Sequence, residues 1–79
     1  MGWFEVQRSP QMQVEECRDA TEWEAFKVRE ASNAQDAVEA AAEGEPGCYR
    51  ARREEETGEF AYCRVTADGI AHPEEIGPY

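Results

Sequence analysis

Trp23-Glu24-Ala25-Phe26-Lys27-Val28-Arg29-Glu30-Ala31 is followed at Ser32 by Asn33-Ala34-Gln35-Asp36-Ala37-Val38-Glu39-Ala40-Ala41-Ala42, and the hydrophobic period changes at that serine. Up to Ala31, β-branched and aromatic residues sit among charges, the pattern of a strand with at least one buried face. Beyond it, Ala34, Ala37, Val38, Ala41 and Ala42 recur at i, i+3, i+4, i+7 and i+8, which is one stripe of an amphipathic helix. Ser32 with Gln35 three residues on has the form of a capping box. The chain is therefore expected to be a strand over 22–31 and a helix over 33–43. Gly44 at C′ and the nearby Pro46 end the helix. The strand has a competitor, because the same residues include good helix formers.

Working outward from this boundary gives the remaining elements. Upstream, Trp3-Phe4-Glu5-Val6-Gln7 is a short apolar run closed by Arg8-Ser9-Pro10, either an edge strand or an arm packed on the core. Gln11 to Cys17 alternates, with Met12 and Val14 on one side and Gln13 and Glu15 on the other, so it reads as a strand. Arg18-Asp19-Ala20-Thr21 then turns it into the 22–31 strand as a hairpin. Downstream, 48–54 and 59–66 read as a second hairpin around Glu55-Glu56-Thr57-Gly58, where glycine suits a positive φ. The expected fold is a single α+β domain over 1–79, an antiparallel β-sheet in the order β-β-α-β-β, with 67–79 a mostly irregular tail. The helix lies across one sheet face, its alanine stripe against strand aromatics.

A chain of 79 residues buries only about 60–70% of the surface that its unfolded form exposes, so a large internal substrate cavity is not expected. With no Leu and only two Ile, the core should draw on Trp3, Trp23, Phe4, Phe26, Phe60, Tyr49 and Tyr62, filled in by Val and Ala. Eight aromatics and two clear periodicities argue for a packed domain in spite of the high charge. No secretory, transmembrane or lipidation pattern is present, which points to a soluble cytoplasmic protein. Three cysteines at irregular spacing fit reduced thiols better than a disulfide framework.

Motifs for chemistry are absent. Cys17, Cys48, Cys63 and His72 could be counted as a zinc set, but no close C-x₂₋₄-C pair occurs among them. No signature of a cysteine nucleophile surrounds any of the three cysteines. The expected reading is a non-enzymatic chain without a metal or cofactor. Arg50, Arg52 and Arg53 face Glu54, Glu55, Glu56 and Glu59 within one hairpin, and cross-strand charge pairing is their expected role.

Charge is the functional signal. Eighteen acids against eight bases leave a net charge of −10, which disfavours nucleic acid as a direct partner and makes a basic protein surface the natural one. Residues 32–47 carry four acids and no base, the purest anionic segment. On the helix Asp36, Glu39 and Glu43 lie at i, i+3 and i+7, about 4 to 6 Å apart in axial rise, comparable with phosphates along a nucleic-acid strand. Glu54, Glu55 and Glu56 form a second acidic group at the hairpin. Salt adaptation is the competing source of acidity, although the acids here are fifteen Glu and three Asp.

In size, acidity, alanine-rich β-helix-β architecture and lack of enzyme motifs, the chain resembles the small anti-CRISPR proteins of phages and mobile elements, especially inhibitors of type I systems. The resemblance implies a stoichiometric inhibitor whose acidic, DNA-mimicking surface occupies the basic DNA-binding channel of a CRISPR-associated subunit. A generic acidic interaction or regulatory module shares every one of these features and differs only in its partner. Homodimerisation, through a sheet edge or an aromatic patch containing Trp3 and Phe4, is a further expectation for so small a core.

Overall fold

The computed structural model describes residues 2–11, 13–55 and 58–74. The elements are β1 (Gly2–Ser9), a 3₁₀ turn (Cys17–Asp19), β2 (Glu24–Ala31), α1 (Ala34–Ala42), β3 (Gly47–Arg53), β4 (Ala61–Val65) and β5 (Ala71–Pro73). The strands form one antiparallel sheet in the order β2-β1-β3-β4-β5. The α+β architecture expected from the sequence is thus the fold, with one helix packed on one face of the sheet.

Strand β1 is neither an edge nor an arm. It lies between β2 and β3, with Phe4 opposite Arg29 on one side and Arg53 on the other. Its alternation sends Phe4 and Val6 into the core, while Glu5 and Gln7 take the other face. Pro10 cannot donate to a ladder, and the strand ends before it. Because β2 and β3 both run antiparallel to β1, they are parallel to each other, and their connection must pass over a face of the sheet. Helix α1 makes that passage.

The helix begins one residue later than the capping-box pattern implies. Asn33, in extended backbone at φ −154°, is the cap, its Oδ1 accepting from Asp36 N at 2.9 Å. Gln35 does not return to Ser32; its Nε2 donates to the Ala71 carbonyl at 2.9 Å. Ala37, Val38, Ala41 and Ala42 are buried as expected. At the far end Glu43 and Gly44 both take positive φ, 50° and 83°, a turn that suits glycine and that Glu43 shares.

Three expectations are corrected. Among the described residues, 11–17 is not a strand and forms no hairpin with β2. The longer β1 places Phe4 and Val6 against the helix stripe and takes that pairing position instead. The described residues between Pro10 and Trp23 lie over the second sheet face. There Gln11 Oε1 accepts from the backbone of Thr21 at 2.6 Å and Glu22 at 3.0 Å, and Arg64 Nη2 donates to the carbonyl of Val14 at 2.8 Å. Second, the mostly irregular tail contains a short strand that the sequence reading lacks. A turn with Gly69 at φ 82°, held by Gly69 N donating to Thr66 O at 2.8 Å, leads into β5, whose Ala71 is buried. Residues 75–79 of that tail lie outside the described residues.

The third correction concerns the core. It comprises Phe4, Val6, Ala31, Ala37, Val38, Ala41, Ala42, Tyr49, Ala51, Cys63, Val65 and Ala71, with Phe26 packed against it. Trp3 is 54% exposed. Trp23 and Tyr62 meet edge to face at 5.6 Å between ring centroids, and together with Phe60 they belong to the second face. With so many alanines on the helix side the core depends on Tyr49, the largest fully buried side chain.

Candidate interaction surface

The acidic residues singled out on the helix do not behave alike. Asp36 is exposed in the first turn. Glu39 is half-buried, and its Oε1 accepts from the backbone N–H of Ala71 at 2.9 Å, so it serves β5. Glu43 is exposed but pairs with Lys27 Nζ at 3.0 Å, and that hydrogen bond and charge hold its carboxyl below its ordinary value. Glu54 and Glu55 are exposed in the turn after β3. Glu56 lies outside the described residues.

The arginines of β3 also differ from expectation. Among the described residues none of them pairs with a glutamate of its own hairpin. The register explains this: Arg50 faces Gln7 and Arg52 faces Glu5 across the β1–β3 ladder, whereas the hairpin glutamates lie beyond the paired residues. Arg52 Nε accordingly meets Glu5 Oε1 at 3.1 Å, and Arg50 Nε donates to Gln7 Oε1 at 2.7 Å. Arg50 is also held between two rings, 4.5 Å from the centroid of Trp23 and 4.1 Å from that of Phe60. Such contacts favour a guanidinium over an ammonium because its plane stacks on aromatic faces.

This treatment of cations is general in the molecule. All eight basic side chains belong to half-buried residues. Arg8 lies against Phe26 and Tyr49, Arg53 against Phe4, Arg18 against Glu16, and Arg29 donates to the carbonyl of Val28. In contrast, Glu15, Asp19, Glu22, Glu24, Glu30, Asp36, Glu43, Glu45, Glu54, Glu55, Glu59 and Asp68 are all exposed. Among the described residues the charged side chains that count as exposed are all acidic, Glu43 with Lys27 as its partner. Sequence counting gives the net charge but not this sorting, which depends on which bases find an aromatic ring, a carbonyl or a carboxylate in the fold.

The cysteines divide in a way that spacing does not reveal. Cys17 and Cys48 form a disulfide, with Cα atoms 5.3 Å apart, contrary to the expectation of reduced thiols. It ties the 10–23 crossing to β3, and two of the four donors counted for zinc are thereby engaged. Glu74 reinforces the same tie, its carboxylate accepting from the backbone N–H of Cys17 and of Arg18. His72 is exposed, with Nε2 at 3.1 Å from Thr66 Oγ1. Cys63 is free and buried on the helix side, and burial pushes its thiol up to about 11.

That shift has two measurable consequences. Cys63 stays a thiol at neutral pH and should resist alkylation in the folded protein, reacting at the rate of unfolding. Because the folded-state value is raised, the stabilisation it represents is complete below the ordinary thiol value of 9.0 and is lost as pH rises toward about 11. Pulsed alkylation with mass analysis, with and without denaturant, checks the first. Urea melts across that alkaline range check the second.

A shallow hollow of about 360 Å³ is lined by Arg18, Glu59, Phe60, Ala61, Tyr62 and Glu74. Arg18 is paired with Glu16 and Glu74 is spent on backbone N–H groups, so its walls offer rings more than free polar groups. Among the described residues no helix is long and apolar enough to cross a membrane. No protein-family model, no characterised protein and no solved structure matches the chain.

Proposed function

We propose that this chain is a non-enzymatic binding module that presents its anionic surface to the basic, nucleic-acid-binding surface of a protein partner and occludes it. The observation that carries this reading is the sorting of charge. Every base is drawn partly under cover while the exposed acids stand without neighbouring exposed bases. Such a surface steers association with a basic groove over long range and repels nucleic acid itself. The resemblance to small acidic anti-CRISPR proteins supplies the partner to try first, a DNA-binding subunit of a type I CRISPR surveillance complex, with the cytoplasm of a host cell as the place of action.

The structure narrows which acids belong in the test. Asp36, Glu54 and Glu55 are exposed, whereas Glu39 supports β5 and Glu43 is paired with Lys27. Reversing Asp36, Glu54 and Glu55 together to lysine should weaken partner binding by about 3 kcal/mol, roughly a hundredfold, taking about 1 kcal/mol per desolvated pair. Glu39→Lys is a poor probe, since it removes the acceptor of a backbone N–H. The measurement is competition with duplex DNA for the surveillance complex at increasing salt. Binding that survives the triple reversal and shows no salt dependence rejects the occlusion mechanism. Failure to bind any component of that complex rejects the CRISPR partner and leaves the generic acidic module.

A further inference from the structure

The two edges of the sheet are unlike. Strand β5 is three residues long and ends in Pro73, which blunts it against pairing. Strand β2 is eight residues long and carries no proline. It is also electrically neutral within an acidic chain, with Glu24 and Glu30 against Lys27 and Arg29. Beside it two of the exposed large apolar side chains sit together, Val28 at 42% and Trp3 at 54% exposure, Trp3 opposite Glu30 and Val28 opposite Glu5 in the β1–β2 ladder.

A bulge makes this edge self-complementary. The register shifts between Val6 and Gln7, so that Lys27 faces Val6, Ala25 faces Gln7 and Phe26 is the extra residue. Phe26 packs on the helix-side core. From the ladder, Glu24, Lys27 and Arg29 share the helix side with Arg8, Val6 and Phe4, while Ala25 and Val28 share the second side with Gln7 and Glu5. Read from either end, the order of faces from Glu24 to Arg29 is the same. A second β2 laid antiparallel about the Phe26–Lys27 midpoint sets Glu24 opposite Arg29 twice and Ala25 opposite Val28 twice, each pair on one face. A hollow of about 280 Å³ lies at this midpoint, lined by Val6, Phe26 and Lys27 from one face and Glu5, Ala25 and Val28 from the other.

We propose that β2 is a homodimer interface, in which two copies pair antiparallel about the Phe26–Lys27 midpoint and join their sheets into one. The occupant is a second copy of this chain because the complementarity of both charge and apolar contact is to the strand itself. Arg29, which in the single chain donates to its own Val28 carbonyl at 3.0 Å, turns to the partner's Glu24.

Sedimentation equilibrium over micromolar to millimolar concentration tests this, with the average mass expected to rise from 8.9 kDa toward twice that value. Glu24→Arg alone and Arg29→Glu alone each set like charges opposite twice and should weaken association about tenfold or more. An equimolar mixture of the two variants should restore it as a heterodimer, and the double variant should restore the homodimer. Circular dichroism confirms that each variant is folded. A wild-type mass that stays at one chain throughout, or an association that neither single reversal weakens, overturns the proposal. Weakening without rescue in the mixture overturns the register.

Discussion

Tyr49→Ala should lower the unfolding free energy by about 3–5 kcal/mol, the range for deleting a large aromatic from a packed core. Tyr49 is completely buried at the centre of β3, with Arg8 and Cys63 as its cross-strand neighbours. Its ring lies 5.8 Å from that of Phe26, and its hydroxyl donates to the Glu45 carbonyl at 2.9 Å. The residues around it are mostly alanine and valine, which have little reach to refill the space. Domains carry about 0.05–0.15 kcal/mol per residue, or about 4–12 kcal/mol for a chain of this length, so the variant should be largely unfolded at the lower end of that range. Tyr49→Phe separates packing from hydrogen bonding, because it loses only the hydroxyl contact, about 1 kcal/mol. Urea titration followed by circular dichroism measures both. Equal losses for the two variants would mean that the hydroxyl's bond to the Glu45 carbonyl, and not the packing of the ring, carries the stabilisation.

What the sequence discloses about this fold is what lies within a single element. The change of period at Ser32 and the stripe from Ala34 to Ala42 are local patterns, and the structure repeats them to within a residue, Asn33 displacing Ser32 because its amide oxygen reaches the Asp36 N–H. The 48–66 hairpin is equally local. Residues 11–17 show why locality is not enough. Alternation of Met12 and Val14 says that a segment could pair, but not that β1, with Phe4 and Val6, would occupy the position first. Trp23 and Phe60 look like core residues by composition. They take the second face because Arg50, which neither neighbours in sequence, stands between them. Spacing alone puts Asp36 on an acidic helix face, and it is exposed there. Glu39 is not, since an N–H of Ala71 claims it, and that strand has only three residues, too few to show a period.

Breaking the Cys17–Cys48 bridge should cost about 3–4 kcal/mol on the chain-entropy account, given a separation of 31 residues. Both sulfurs are fully buried, so reduction of the folded protein should be slow and proceed through opening of the 10–23 crossing. What remains after reduction is a set of polar ties, Arg64 to the carbonyls of Val14 and Glu15 and Glu74 to the N–H groups of Cys17 and Arg18. Each is a charge-assisted bond to backbone, worth about 1.5–3 kcal/mol where buried and less at this partly exposed site. The sheet and helix do not pass through that segment, so the reduced chain should keep its five strands while the crossing gains amide exchange. The Cys17→Ser, Cys48→Ser double variant should show the same lowered melting temperature in oxidising and reducing buffer, whereas the wild type should differ between them. This decides whether the proposed function can operate where thiols are kept reduced. A reduced form that remains folded and still competes with DNA is compatible with action in a cytoplasm. Global unfolding on reduction would place the working protein in an oxidising compartment and remove the intracellular CRISPR-associated partner from consideration.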